Sequence, residues 1–426
     1  MKEYAGRVLM LVENCFPKDT RVRNEAFTLA EHGFKVTVIA LRGPAEQFRE
    51  IVTAVAVYRI PRLTLFQKLP STKRSGFKSL LNTLGVVVGY FTEYIYFTLA
   101  CLLVSLYVAV REGFDVVHAH NPPDTLFVVA AVHRLCGKKF VFDHHDLSPE
   151  LYRSRYKIAD GLVSRGLLLL EKCSLKLADV AIATNESYRH IDIERNAVDP
   201  DKVFVVRNGP DLGRVRLVEP DPSLKSKGQT ILGYVGAMNP QDGVDHLLRA
   251  LSCLAHDLRR TDFYCVLIGD GDSIEELRSQ AVALGIAGHV QFTGFIPDEE
   301  MVRYLSTADI CLDPNPSSPL NDVSTWIKVM EYMALGKPVI SFDLKETRIS
   351  AGDSALYVKP NDETKFAEAI AQLMNDPGKR RRMGEFGRIR VLNDLSWQVT
   401  SKNLLSAYAR LFPKTPHQRT SRASVA

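Results

Sequence analysis

A chain of 426 residues is too long for one ordinary core and implies two to three domains. Hydrophobic residues at 46% and charged ones at 24% give an ordinary globular balance, and a formal net charge of only +5 offers no bulk signal for nucleic-acid binding. The cysteines (Cys15, Cys101, Cys136, Cys173, Cys253, Cys265, Cys311) show no short paired spacing, which argues against a zinc site and a disulfide framework and points to a reducing compartment.

The chain begins with a basic start and a short apolar run that Glu13 and Asn14 interrupt. This pattern predicts a first β-strand over 7–12 and not a signal peptide, so a cytoplasmic protein is expected. An amphipathic helix follows over 21–32, ended by Gly33, and a second strand over 35–40. From Arg62 to Thr92 no acidic residue occurs, while Arg62, Lys68, Lys73, Arg74 and Lys78 alternate with Leu63, Leu65, Phe66, Leu69 and Phe77. Basic and apolar side chains together suit an anionic membrane surface. Between Lys78 and Arg111 the only charge is Glu93. That run borders on the length of a membrane span, yet a true span would put neighbouring strands of one sheet on opposite sides of the bilayer. A helix or helical hairpin dipping into one leaflet is expected, with a buried core helix as the alternative.

Apolar runs at 116–119, 140–143, 180–184 and 203–207 continue the strand series, and near-continuous Val/Ile/Leu strands separated by helices predict a parallel sheet covered on both faces. The stretch rich in Pro220, Pro222, Ser223, Ser226 and Gly228 resembles a linker, placed at 213–229. The same grammar then repeats, with strands at 231–236, 264–269, 290–293, 310–312 and 339–342 and helices at 243–255 and 273–284. The expected organisation is an α/β chain with a first domain over 1–212 and a second α/β domain over 230–394. A final helix over 395–412 and a polar, disordered tail over 413–426 are expected to follow.

The most informative stretch is STWIKVMEYMALGKP (324–338). A helix starting near Ser324 or Thr325 and stopped by Gly336 would present free amides and a positive dipole end to phosphate. Lys328 and Glu331, three apart, share one helix face. A carboxylate there can accept two ribose hydroxyls, and a lysine can neutralise phosphate; the bland alternative is an exposed helical ion pair.

EYMALGKPVI (331–340) resembles the carboxyl-terminal signature of the retaining GT-B glycosyltransferases of family four, in the subgroup that builds surface polysaccharides. Other pieces resemble the family in the right order: Leu232 to Gly236 with Gly243 to Leu248, VLIGDG (266–271), QFTGFIP (291–297), the helix over 396–408, and in the first half FPKDTRVRNE, DVVHAHNPPD and VFDHHDLSPE. The resemblance implies the GT-B fold, two Rossmann-like domains facing a cleft, with 1–212 as the acceptor domain, 230–394 as the nucleotide-sugar domain and the helix over 395–412 crossing back to the first. It implies Glu331 as the ribose ligand, Gly294, Phe295 and Ile296 as base contacts, and Gly236 and Asn239 with the amides at Ser324, Thr325 and Trp326 around the donor. His145 would reach the transferred sugar, with His144, Asp143 and Asp146 orienting it or binding acceptor hydroxyls, and Asp19, Arg21 and His120 would lie on the acceptor side.

The sequence departs from the family at three places. The usual Arg after the strand glycine is Ala237, the usual Lys before the next glycine is Asp242, and a usual Glu near the sugar is Val323. Lys328 and Arg207 are the expected replacements for the diphosphate-binding cations. The activity implied is metal- and cofactor-independent, retaining transfer from a nucleotide sugar, with a uridine diphosphate sugar as the default, to a lipid-linked saccharide. The site would be the cytoplasmic membrane face, reached through the segment at 62–110. A nucleotide-sugar epimerase and a non-enzymatic GT-B subunit are the alternatives.

Overall fold

The computed structural model describes residues 4–63, 77–156 and 161–412 of the chain. Two α/β units separate, one of Met1–Arg207 with Ser401–Ala426 and one of Asn208–Thr400.

The first unit opens with β1 (Gly6–Cys15), α1 (Thr20–Glu31) and β2 (Phe34–Leu41), where apolar periodicity placed them. A hairpin that the periodicity did not reveal comes next, β3 (Arg49–Val52) and β4 (Val55–Ile60). Its two turn residues, Thr53 and Ala54, take positive φ of 45° and 68°, so the tight turn carries none of the Asn-Gly chemistry that usually announces one. Then follow α2 (Phe77–Arg111), β5 (Val116–His120), α3 (Phe127–Arg134), β6 (Lys139–His144), α4 (Ser148–Tyr156), α5 (Leu162–Leu177), β7 (Val180–Ala183), α6 (Glu186–Glu194) and β8 (Val203–Val205). The sheet runs β3-β4-β2-β1-β5-β6-β7-β8, parallel except for the β3–β4 pair. Every residue of β4, β5 and β7 is buried, as expected for strands covered on both faces. The strand order reverses direction between β1 and β5, and ligands of open α/β sheets bind outside the carboxyl ends of such a pair.

The apolar segment before β5 is one continuous helix and not a hairpin. One face of α2 is sunk into the unit through Phe97, Cys101, Ser105 and Val108, each at most 1% exposed, and Ser105 Oγ lies 2.8 Å from His133 Nε2. Phe91–Arg111 is long and apolar enough to cross a membrane, and one of its faces is packed against the rest of the unit. The core-helix alternative holds for that buried face alone. The basic and apolar residues from Leu65 to Arg74 and the tail over 413–426 lie outside the described residues.

The second unit starts earlier than the linker reading placed it. Val215 and Leu224 are buried in its core, and the amides of Val218 and Asp221 bond to Ser306 Oγ (3.2 Å) and Thr307 Oγ1 (2.7 Å). The stretch at 213–229 is therefore a strap on the second unit. Its elements are α7 (Pro222–Lys225), β9 (Thr230–Val235), α8 (Val244–Ser252), β10 (Phe263–Ile268), α9 (Ile274–Ala283), β11 (Val290–Gly294), α10 (Asp298–Thr307) and β12 (Ile310–Asp313). They continue with α11 (Ile327–Ala334), β13 (Val339–Phe342), α12 (Lys345–Ala351), β14 (Ala355–Val358), α13 (Glu363–Asn375), α14 (Pro377–Arg390) and α15 (Trp397–Leu411). The parallel sheet runs β11-β10-β9-β12-β13-β14, with its switch between β9 and β12. Strand residues alternate between two apolar layers: Leu232 and Tyr234 pack in one, Ile231 and Val235 in the other. From Ser401 onward α15 belongs to the first unit, where Tyr408 and Phe412 lie edge-on to Phe34.

Gly269 ends β10 at φ 130°, and a Cβ there would stand 2.0 Å from the Gly236 carbonyl oxygen. Gly269→Ala combines backbone strain with an overlap against main chain, so it should destabilise the second unit by about 2 kcal/mol or more. A denaturant midpoint equal to that of the parent protein would show that the loop after β9 yields freely.

Candidate functional site

At the switch of the first sheet the loops after β1, β5 and β6 converge on one buried carboxylate, that of Asp143. Arg21, from the first turn of α1, donates to it through Nε and Nη2, both at 2.7 Å. His120 Nδ1 lies 2.8 Å and His145 Nδ1 3.1 Å from the same oxygen. Burial alone would raise the Asp143 pKa, but the Arg21 guanidinium overrides it and holds the carboxyl well below its usual range. An ionised carboxylate only accepts, so both rings carry hydrogen on Nδ1 and turn Nε2 away from it. Burial pushes the His145 pKa down, and the Asp143 charge more than reverses that, leaving it raised. The His145 amide bonds to Asn121 Oδ1 at 2.9 Å and the Asp146 amide to the same oxygen at 3.1 Å, which fixes the loop carrying both side chains.

Other expected residues of this region are committed inside the fold. Successive strand residues point to opposite faces. His144 accordingly leaves Asp143 and His145 for the far side of the sheet, 2.7 Å from Asp192 and 3.5 Å from Glu171, and does not orient His145. Arg21 is 3% exposed, with its remaining donor on the Val206 carbonyl, so it anchors Asp143 and does not face solvent. The Asp19 carboxylate caps α1 on the Val22 amide at 3.0 Å and takes a bond from Asn14. His120 is 1% exposed and is spent on the Asp143 carboxylate behind His145.

Glu25, which the sequence reading passed over, completes this cluster. It lies 3.3 Å from Arg21 and 3.6 Å from His118 Nε2, and His118 Nδ1 is 2.9 Å from the Tyr408 hydroxyl. Burial, reinforced by Asp143, pushes its pKa up to about 8. Glu25, His118, His120 and Asp143 bring possible metal-ligand atoms within 4.8 Å of one another. The two imidazoles are stacked 4.3 Å apart at 28°, and Arg21 already covers both Asp143 oxygens.

In the second unit the switch between β9 and β12 is bridged by the Tyr332 hydroxyl. It accepts from the Val235 amide at 2.8 Å and donates to the Leu312 carbonyl at 3.3 Å, which fixes α11 over the ends of both strands. This helix begins at Ile327, later than the sequence suggested. The Ser324 amide is used by Asn321 and its hydroxyl by Leu320, and the Thr325 hydroxyl points to Glu346. The amides that open α11 are thus those of Ile327 and Lys328, beyond the cap residue Trp326, since the Val329 amide bonds to the Trp326 carbonyl at 3.2 Å. Lys328 is 8% exposed, its ammonium 3.3 Å from Asp313 at the end of β12 and over the rings of Tyr234 (4.8 Å) and Trp326 (5.2 Å). Glu331, one turn on, is held by Arg214 of the strap, which also reaches Asp298 at 3.2 Å. Arg207, the other expected cation, belongs to the first unit.

The loop after β9 explains one departure from the family pattern. Asp242 Oδ2 accepts from the Asn239 amide at 3.0 Å, while Asn239 Oδ1 accepts from the Asp272 amide at 3.1 Å. An acid at position 242 therefore locks the loop that Gly236 opens, and Asn239 is its hinge pin. At the end of β11 Gly294 turns at φ 71° with its carbonyl on the Gly269 amide, Ile296 packs inward, and Phe295 stands 87% exposed. Arg214 and Asp313 were not found from sequence. Asp313 carries the same signal as His145, a polar residue closing an apolar strand, whereas nothing local marks Arg214.

Two family models match the chain, "Glycosyltransferase Family 4" over residues 19–214 and "Glycosyl transferases group 1" over residues 229–376. The alpha-maltose-1-phosphate synthase of Mycolicibacterium smegmatis is 29% identical over 323 residues, covering 70% of this chain and 80% of that protein. The GDP-mannose-dependent alpha-(1-6)-phosphatidylinositol monomannoside mannosyltransferase of the same organism is 28% identical over 221 residues, 50% of this chain and 53% of its own. Anabaena HepE in complex with UDP-glucose shares the fold at a TM-score of 0.69, with 16% identity, 95% of this chain and 99% of that one covered.

The Asp143 charge is what raises the His145 pKa. In an NMR titration of the histidine rings, the His145 midpoint should lie above the ordinary value of about 6.5 and drop in Asp143→Asn. An unchanged midpoint in the variant would mean the carboxylate is not the cause.

Proposed function

Because the chain belongs to family four of the glycosyltransferases, we propose that it moves a sugar from a nucleotide-sugar donor to a lipid-linked saccharide, with retention, at the cytoplasmic face of a membrane during surface or exopolysaccharide assembly. The observation that carries the donor half is α11. It places Lys328 and Glu331 one turn apart, both mostly buried, on a helix pinned over the sheet switch, which is far from an idle surface ion pair. Glu331 accepts the ribose hydroxyls, the first-turn amides and Lys328 neutralise the diphosphate, and Phe295 offers the base an open ring. Its buried Asp313 keeps Lys328 aimed before a ligand arrives. The absent family cations weigh less against catalysis now that Asp242 has a structural task.

In the chemical step the acceptor hydroxyl attacks the anomeric carbon from the face the diphosphate leaves. A new carbon–oxygen bond forms as the bond to the diphosphate breaks, and a phosphate oxygen takes the hydroxyl proton. His145, with its charge supported from behind by Asp143, donates through Nε2 to a sugar oxygen. No divalent ion and no cofactor take part in this scheme. Uridine nucleotides are the first donors to test.

The lipid-linked acceptor is supported by α2. On the side away from the core it exposes Ile95, Leu99, Leu103, Leu106, Tyr107 and Val110, with Leu103 70% and Val110 92% exposed. Their spacing draws one continuous stripe along a helix. A bare apolar stripe next to a basic segment fits a bilayer interface, with the helix lying in the plane of the membrane and one face down.

Lys328→Ala should lower turnover by about 10²-fold or more, the usual loss when a group that stabilises developing charge is removed. Turnover near that of the parent enzyme would rule Lys328 out. Leu99→Glu with Leu103→Glu leaves the core intact and should abolish most co-sedimentation with anionic vesicles. Neutralising Lys73, Arg74 and Lys78 should make the remaining binding insensitive to salt. Full binding by the double variant would remove the support for a membrane-borne acceptor.

A further inference from the structure

The strap at 213–229 places one arginine, Arg214, against α11, the helix that carries Lys328 and Glu331. The Arg214 guanidinium contacts Glu331 through Nη2 and Asp298, at the start of α10, through Nη1 at 3.2 Å. Its backbone is held from behind, because the Arg214 amide bonds to the Asp211 carbonyl and Val215 beside it is 2% exposed. The side chain is itself mostly covered, at 17% exposure, and the Glu331 side chain is at 9%. A carboxylate this far out of water is stable only beside a compensating charge. Lys328 shares the face of α11 but is turned to Asp313, so Arg214 supplies that charge.

We propose that Arg214 is a positioning residue for donor binding: it keeps Glu331 ionised and aimed so that the carboxylate can take both ribose hydroxyls of a nucleoside diphosphate. This rests on the glycosyltransferase reading, in which Glu331 is the ribose ligand. The contact uses one carboxylate oxygen, Oε1, and leaves Oε2 for a hydroxyl, so the pair is a support and not a plug. Burial raises the Glu331 pKa while Arg214 lowers it and Asp298 raises it further. Without Arg214 the carboxyl becomes protonated at higher pH. A neutral carboxyl is a weaker acceptor, so donor affinity would then fall more steeply with falling pH than in the parent protein.

The test is calorimetry of the full-length protein with UDP, GDP and ADP, followed by the 2′-deoxy form of whichever binds, from pH 6 to 8.5. The parent protein should prefer the ribose over the 2′-deoxy nucleotide by about tenfold, the worth of a hydrogen bond to a charged group. Arg214→Ala should lose that preference and weaken toward pH 6 more steeply than the parent, whereas Arg214→Lys, which restores the charge, should recover the preference and the parent's pH profile. Arg214→Ala binding like the parent at every pH, or binding more tightly, would overturn the proposal, the latter by showing that Arg214 blocks the ribose. Should Arg214→Ala not fold, Arg214→Gln serves for the same comparison. If no nucleotide binds the folded parent protein, the donor-site reading itself fails. If nucleotides bind and Glu331→Gln alone abolishes the preference, only the role of Arg214 is lost.

Discussion

The first unit is organised around the charge on Asp143. Four donor nitrogens from three residues meet on its two oxygens, and each residue belongs to a different stretch of chain: Arg21 from α1, His120 from β5, and His145 from the turn after β6. A carboxylate without solvent and without partners would be neutral, and neutral Asp143 could neither hold Arg21 nor fix the tautomers of two imidazoles. Removing one member of such a buried pair costs about 3–5 kcal/mol, since the other charge is left stranded. The same ion pair therefore serves the fold and the chemistry. It ties the first helix to the centre of the sheet and sets the proton on His145 Nδ1.

The second unit solves a similar problem with neutral groups first and charges second. A tyrosine hydroxyl spans β9 and β12 where their separation leaves main-chain groups unpaired, and glycine against glycine lets the neighbouring loops approach to contact. Only above that frame do charges appear, as Lys328 with Asp313 and Arg214 with Glu331. Each cation is paired with an acid before any ligand is present. Side chains paired in advance are already aimed, so a ligand reaching them would not have to order loose groups.

Sequence periodicity was a good guide to strands that run apolar from end to end, such as β5 and β9, and to the helix with Lys328 and Glu331 on one face. It was blind to the β3–β4 hairpin, whose turn uses Thr53 and Ala54, and it misjudged the strap because proline and serine content marks irregular backbone, not loose backbone. At the site, strand alternation could have separated His144 from His145, since the ends of β6 must point to opposite faces. What no local pattern discloses is a partner brought in from far along the chain. Arg214 and Glu331 are separated by 117 positions, and Arg21 and Asp143 by 122. Residues such as Asp19 and Arg21, polar and near the right loop, look available in one dimension and prove to be consumed in three.

The last helix has a consequence for the order of assembly. The Tyr408 hydroxyl meets His118, and the rings of Tyr408 and Phe412 close over Phe34 and Gly6, all within the first unit. A ribosome delivers those residues only after the whole of the second unit has been made. The amino-terminal half therefore emerges first yet waits, with part of its core open, while a complete domain is synthesised and can fold behind it. Its finishing piece arrives with the end of the chain, so a message cut short anywhere before the last helix yields a first unit that lacks its own keystone.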